Sequence, residues 1–219
     1  MSADKRKPRL LCLHGAKSNN TITELQVMGI NLDSHFDLVY LHAPFVTECY
    51  PGLENFADPP FYTWGRSHSL GAEREADRAR SLKHICDFVD KHGPFEGVYG
   101  FSLGAAVITE FSHVKTWRDE LKLRSCPWKF AILACGGASR FVSLDKAVPI
   151  EIPSFHIFGA RDRLLEDSRK IADHWVGRIT ATHSSGHEID MMMHRREIEM
   201  MKKLEDFLNM RLAEMRQRE

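Results

Sequence analysis

The sequence predicts an α/β fold: a mainly parallel sheet of about six strands with helices on both faces and no large cap domain. Three observations carry this expectation. Short continuous apolar runs alternate along the chain with longer amphipathic stretches. The runs have the length of strands buried on both faces, about four to eight residues, and are too short for buried helices. Several of them stop at a helix breaker, such as Gly15, Pro44 or Gly159. One domain is expected over residues 1–219, with its core at 8–210 and a polar tail at 211–219.

The elements follow in order. Residues 9–15, RLLCLHG, read as a buried strand closed by glycine. Residues 24–36 place apolar side chains at helical spacing, and 37–44 form a second strand that Pro44 ends. Residues 72–93 predict a helix with Ala76, Ala79, Leu82, Ile85, Phe88 and Val89 on its core face and Gly93 as its stop. A strand is expected at 95–101, a helix at 102–117, and buried strands at 128–137 and 152–159. A helix at 164–175 and a strand at 178–183 come next. The last helix, 195–215, repeats Ile198, Met201, Leu204, Leu208 and Leu212 at helical spacing, which lays it on the sheet. The alternative, a helix for a partner chain, rests on the polar residues past Leu212.

Composition narrows the function. Lys+Arg and Asp+Glu both number 30, so the net charge is zero. A nucleic-acid binder carries a basic excess, which this chain lacks. The first ten residues, MSADKRKPRL, have no apolar segment of the signal-peptide kind, and no apolar run reaches the roughly 20 residues needed to span a bilayer. Five cysteines, with no Cys-x-x-Cys spacing, read as reduced, mostly buried thiols of a cytoplasmic protein and offer no zinc pattern. Oligomeric state leaves no mark on the sequence.

In parallel sheets of this kind ligands sit beyond the carboxyl ends of the strands. Three such ends carry reactive side chains. The stretch GVYGFSLGAAV, 97–107, places Ser102 between a strand and a helix, with Gly100 and Gly104 two positions to either side. A Gly-x-Ser-x-Gly match arises by chance in roughly one chain in twenty of this length, so its surroundings decide. Strand–turn–helix is the context of a nucleophile elbow. His187 lies in ATHSSGHEID, beyond the last strand, where Ser184, Ser185 and Gly186 enforce a loop. His183, four residues earlier, closes the strand, and the pair does not form a helical metal motif. Asp162 stands three residues past Gly159, whereas Glu166 and Asp167 belong to the start of the next helix. Ser102, Asp162, His187 is the chain order of nucleophile, acid and base in α/β-hydrolases. An oxyanion hole is expected from the backbone N–H groups of Leu103 and of Ala16, with Lys17 as the second choice for the latter. His14 is expected to orient that loop.

Residues 45–71 form a long connection without an evident regular element. Its aromatics Phe45, Tyr50, Phe61, Tyr62 and Trp64 are candidates for the wall of an apolar acyl pocket, or else cover the sheet edge. Lys17, Arg66 and Arg74 are candidate contacts for an anionic group on the substrate.

Taken together, LLCLHG, HAPF, GPFEGVYGFSLGAA, FHIFGARDRL and SSGHEI resemble the FSH-type family of small serine hydrolases over about residues 9–208. The resemblance implies a compact α/β-hydrolase with cytosolic esterase or thioesterase activity and no cofactor. It implies a small-molecule or carrier-protein-bound acyl substrate, since some fungal members release polyketide chains from a carrier protein. A short-chain carboxylesterase and a non-catalytic binding module are the alternatives. Two departures stand out: Leu103 where the family often has Gln, and Ser184-Ser185 with Ile189-Asp190 where it often has two glycines and Val-Pro.

Overall fold

The computed structural model describes residues 6–66, 68–137, 142 and 148–217. In chain order the elements are β1 (Arg9–Leu13), α1 (Asn20–Gly29), α2 (Leu32–His35), β2 (Asp37–Leu41), β3 (Phe45–Thr47), β4 (Phe61–Thr63), α3 (Gly71–His92), β5 (Gly97–Phe101) and α4 (Leu103–Ser112). Then come β6 (Phe130–Ala134), β7 (Ser154–Gly159), α5 (Leu165–Ala172), β8 (Ile179–His183), α6 (Met193–Arg196) and α7 (Ile198–Arg216).

Six strands make one sheet in the order β2-β1-β5-β6-β7-β8, and every pairing is parallel. All five positions of β5 and of β6 are buried, which is why they read as unbroken apolar runs. One core cluster joins the sheet to α3 and α4 through Leu82, Ile85, Val107 and Phe111. The other joins the opposite face to α1 and α7 through Val27, Ile30, Leu204 and Phe207. Strand order reverses between β1 and β5, and in parallel sheets the carboxyl ends at such a reversal are where ligands bind. No helix among the described residues is long and apolar enough to cross a membrane.

The structure corrects several expectations. The helix expected at 24–36 begins earlier and is broken. Asn19 caps α1, its side chain accepting the Ile22 N–H at 3.3 Å, and Asn31 separates α1 from α2 in a left-handed conformation, φ 56°. The helix after Ser102 ends at Ser112, because His113 turns extended, and a separate π-type turn runs Lys115–Glu120. Residues 45–71 are not featureless: β3 and β4 pair antiparallel, Phe45 opposite Thr63.

On α3, Ala76 and Ala79 are exposed, while Asp77 and Arg78 are buried. Charges tolerate burial when they are paired. Arg78 bonds Glu110 at 2.8 Å and Glu120 at 2.7 Å, and Asp77 bonds Arg66 at 2.7 Å and Ser69 at 2.7 Å. On α7, Ile198 is 66% exposed, and the buried face is Met200, Leu204, Phe207 and Leu208. Residues 211–216 of the expected polar tail continue α7, and Met215 packs against the core. Of the cysteines, Cys12 and Cys135 are buried; Cys49, Cys86 and Cys126 are half-buried.

Candidate active site

Ser102 occupies the one-residue turn from β5 into α4, at φ 53° and ψ −116°. That conformation is closed to most side chains and persists only when its surroundings impose it. Two hydrogen bonds do so: Ser102 N–H donates to the Ala134 carbonyl at 3.0 Å, and the Ser102 carbonyl accepts the Gly137 N–H at 3.1 Å. The turn also brings α4 hard against β1. A β-carbon on Gly104 would stand 2.6 Å from the Leu13 carbonyl oxygen, and one on Gly100 would stand 2.8 Å from the Gly104 backbone. Only glycine fits at either position.

Asp162 follows β7 and His187 follows β8, so the three side chains converge from the ends of three strands. His187 Nε2 lies 2.8 Å from Ser102 Oγ, and His187 Nδ1 lies 2.8 Å from Asp162 Oδ2. An ionised carboxylate only accepts, so Nδ1 carries the proton and Nε2 is left to accept from the serine hydroxyl. The other carboxylate oxygen, Oδ1, accepts the Leu164 N–H at 2.7 Å. Asp162 itself is buried, and Phe101 packs its ring 5.1 Å from that of His187.

The loop after β1 lies beside this group. Gly15 comes so near that a β-carbon there would stand 3.4 Å from Ser102 Cβ. Ala16 is half-buried in the turn that follows, Lys17 is left-handed at φ 53°, and Leu103 opens α4, where the first N–H groups lack helical partners. His14 is buried, donating Nδ1–H to the Gly15 carbonyl at 2.7 Å and accepting the Ala43 N–H on Nε2 at 3.0 Å. Burial lowers its pKa to about 4, against the weaker opposing effect of the Gly15 bond. His14 therefore fixes the loop as a neutral ring.

His183 takes no part in the Ser102 chain. It is buried at the end of β8, accepting the Ser185 N–H on Nδ1 at 3.2 Å and facing Cys135 Sγ with Nε2 at 3.5 Å. Cys135, Asp162 and His187 have donor atoms within 4.8 Å of one another. Burial drives the Cys135 thiol far above its ordinary pKa, and the carboxylate and imidazole already bind each other. These residues favour the proton relay over a metal ion.

The aromatics divide. Trp64 is fully buried and donates its indole N–H to the His14 carbonyl at 2.8 Å, so it is core and cannot wall an open pocket. Phe45 and Phe61 are also buried, and the guanidinium groups of Arg66 and Arg80 lie over the Phe45 ring at 5.5 Å and 4.8 Å. Tyr50 and Tyr62 keep exposed surface. Tyr50 donates its N–H to the Lys17 carbonyl at 2.9 Å and its hydroxyl accepts from Arg163, which ties residues 45–63 to both neighbouring loops. Arg66 is committed to Asp77 and Lys17 to Glu48, so neither charge stands free for an anionic substrate; Arg74 is exposed. Sequence reasoning missed Gly137, where a β-carbon would stand 3.0 Å from Ser102 Oγ, and Leu164, whose N–H holds Asp162. The only local signal was their position just past strand ends.

This fold and strand-end serine define an α/β-hydrolase. Solved structures of that shape include Zea mays acyl-protein thioesterase 2, with a TM-score of 0.57 at 19% identity over 93% of this chain and 94% of that one. Another is the Bacillus cereus carboxylesterase, with a TM-score of 0.56 at 17% identity over 90% and 89% of the two chains. The model of the serine hydrolase (FSH1) family matches residues 1–195, and the chain belongs to that family. Among its relatives are the esterase FUS5 of Gibberella fujikuroi, 29% identical over 77% of this chain and 72% of the relative, and the human esterase OVCA2, 30% identical over 85% and 91%. The chain is an enzyme of the serine hydrolase class.

Proposed function

We propose that the enzyme cleaves acyl esters or acyl thioesters through an acyl-enzyme on Ser102. His187 Nε2 takes the hydroxyl proton as Ser102 Oγ attacks the acyl carbonyl, and Asp162 holds the imidazole in its productive tautomer. The N–H groups of Leu103 and Ala16 stabilise the oxyanion. Collapse of the tetrahedral intermediate expels the alcohol or thiol, which leaves with the proton from His187. A water molecule, deprotonated by the same ring, then releases the acid.

One observation carries this reading: a serine held in a strained turn, its hydroxyl 2.8 Å from an imidazole whose other nitrogen faces a buried carboxylate at 2.8 Å. The esterase and thioesterase names of its relatives and structural neighbours agree with it. The substrate is a small acyl compound or an acyl group on a carrier protein, entering past Tyr50 and Tyr62. Five free thiols suit a reducing, cytoplasmic setting.

The test is a hydrolysis series of acyl thioesters and matched oxygen esters of increasing chain length, with Ser102→Ala as the blank. That substitution should lower kcat by several orders of magnitude, up to about 10⁶. Thioester preference peaking at medium or long chains supports carrier-bound acyl release. Preference for short oxygen esters makes the protein a general carboxylesterase. No Ser102-dependent turnover on either series would point to a very selective substrate or to the fold acting as a binding module.

A further inference from the structure

The proposed reaction needs His187 and Asp162 in register, yet they stand on separate loops, 25 positions apart in sequence. Misplacement of a catalytic group by about 1 Å costs on the order of 10²-fold in rate. A set of contacts away from the reacting atoms bridges these two loops. Glu197, the residue before α7, accepts on Oε1 both the Ser184 N–H at 3.0 Å and the Ser184 hydroxyl at 2.5 Å. On the other side of the same residue, the Ser184 carbonyl accepts Arg161 Nε–H at 2.8 Å. The Arg161 backbone N–H donates to the Ser185 carbonyl at 3.0 Å. Arg161 directly precedes Asp162, and Ser184 lies three residues before His187.

A carboxylate and a guanidinium thus grip the two ends of one residue. Both contacts are charge-assisted, the stronger class of hydrogen bond. The two Ser184 bonds, side chain first, hold the Glu197 carboxyl below its ordinary pKa. Ser184 is itself exposed, so apolar packing does not hold it in place. The hydroxyl matters here as well as the peptide, which gives the serine at 184 a role that composition alone does not suggest.

We propose that Arg161 and Glu197 clamp Ser184 and so set His187 against Asp162; both are positioning residues for acyl transfer. The proposal rests on the reading of Ser102, His187 and Asp162 given above. It is tested on the full chain with Glu197→Ala, Glu197→Gln, Arg161→Ala and the Arg161/Glu197 double alanine variant. Each is assayed for kcat and KM on the best ester of the series, with reactive sites counted by a fluorophosphonate titrant.

Glu197→Ala should lower kcat about tenfold, with KM within about twofold and every site still titrating. Glu197→Gln keeps an acceptor oxygen and should recover kcat to within about threefold of wild type. The double variant should be little worse than the poorer single one, since both residues serve one clamp. Wild-type kcat in Glu197→Ala overturns the clamp. So does a loss accounted for entirely by fewer titratable sites, or a Gln variant as impaired as the Ala one. Ser102→Ala separates the two levels. If it is inactive while Glu197→Ala is normal, only the clamp fails. If it stays active, the triad fails and the clamp with it.

Discussion

Gly137 leaves open the space in front of the Ser102 hydroxyl: a β-carbon on residue 137 would stand 3.0 Å from Ser102 Oγ and 3.1 Å from Leu164 Cδ1. Its N–H also binds the Ser102 carbonyl at 3.1 Å, so the same residue both fixes the turn and clears its face. No left-handed φ is involved that would strain an alanine backbone there. Gly137→Ala should therefore keep stability within about 1 kcal/mol while lowering kcat on the order of 10²-fold, because the new methyl crowds the attacking oxygen. Ester hydrolysis rates measured beside thermal unfolding check this. Unchanged kcat would mean that the acyl group approaches Ser102 from another side.

Stability should fall on the acid side through two buried histidines. Burial, aided by Arg178, lowers His156 to about 3, and burial lowers His14 to about 4. Unfolded histidines titrate near 6.5. Between pH 6.5 and 4 the unfolded chain therefore binds protons that the native chain excludes. Stability holds level above pH 6.5 and declines as pH drops below it, by roughly 2 kcal/mol per histidine at pH 5. Urea unfolding from pH 7.5 to 5 measures this above most of the carboxylate range. His156→Gln, which cannot titrate, should flatten the slope by about one proton. A stability independent of pH over that window would contradict both assignments.

These histidines also mark what the sequence can disclose. The four inner strands were legible because burial on both faces writes a nearly unbroken apolar run, as in Phe130–Ala134, whereas the edge strands β2 and β8 are only partly buried. Ser102, Asp162 and His187 stood out because each sits in the loop past a strand's carboxyl end, where a parallel sheet gathers its loops. The sequence could not decide whether Trp64 walls a pocket or packs as core, because its partner, the His14 carbonyl, lies 50 residues away. Ala76 and Ala79 were placed on the core face of α3 where Asp77 and Arg78 are buried instead, because the partners of those two charges, on other elements, cannot be seen from local periodicity. Gly137 carries no side chain to announce that it faces a nucleophile.

The strain at Ser102 makes a separate prediction. At φ 53° and ψ −116° a residue with a β-carbon is held in a conformation costing about 1–3 kcal/mol. Ser102→Ala removes the hydroxyl and its bond to His187 but keeps the β-carbon, so the strain stays. Ser102→Gly removes both, and glycine adopts the conformation freely at a cost of roughly 0.5–1 kcal/mol in unfolded-state entropy. Both variants should be inactive, and the glycine variant should be the more stable of the two by about 1 kcal/mol. Urea unfolding of the pair at pH 7.5, above the histidine window, isolates the backbone term from the lost hydroxyl. A glycine variant no more stable than the alanine one would mean that the turn is relaxed, and that surrounding contacts rather than stored strain hold the serine towards His187.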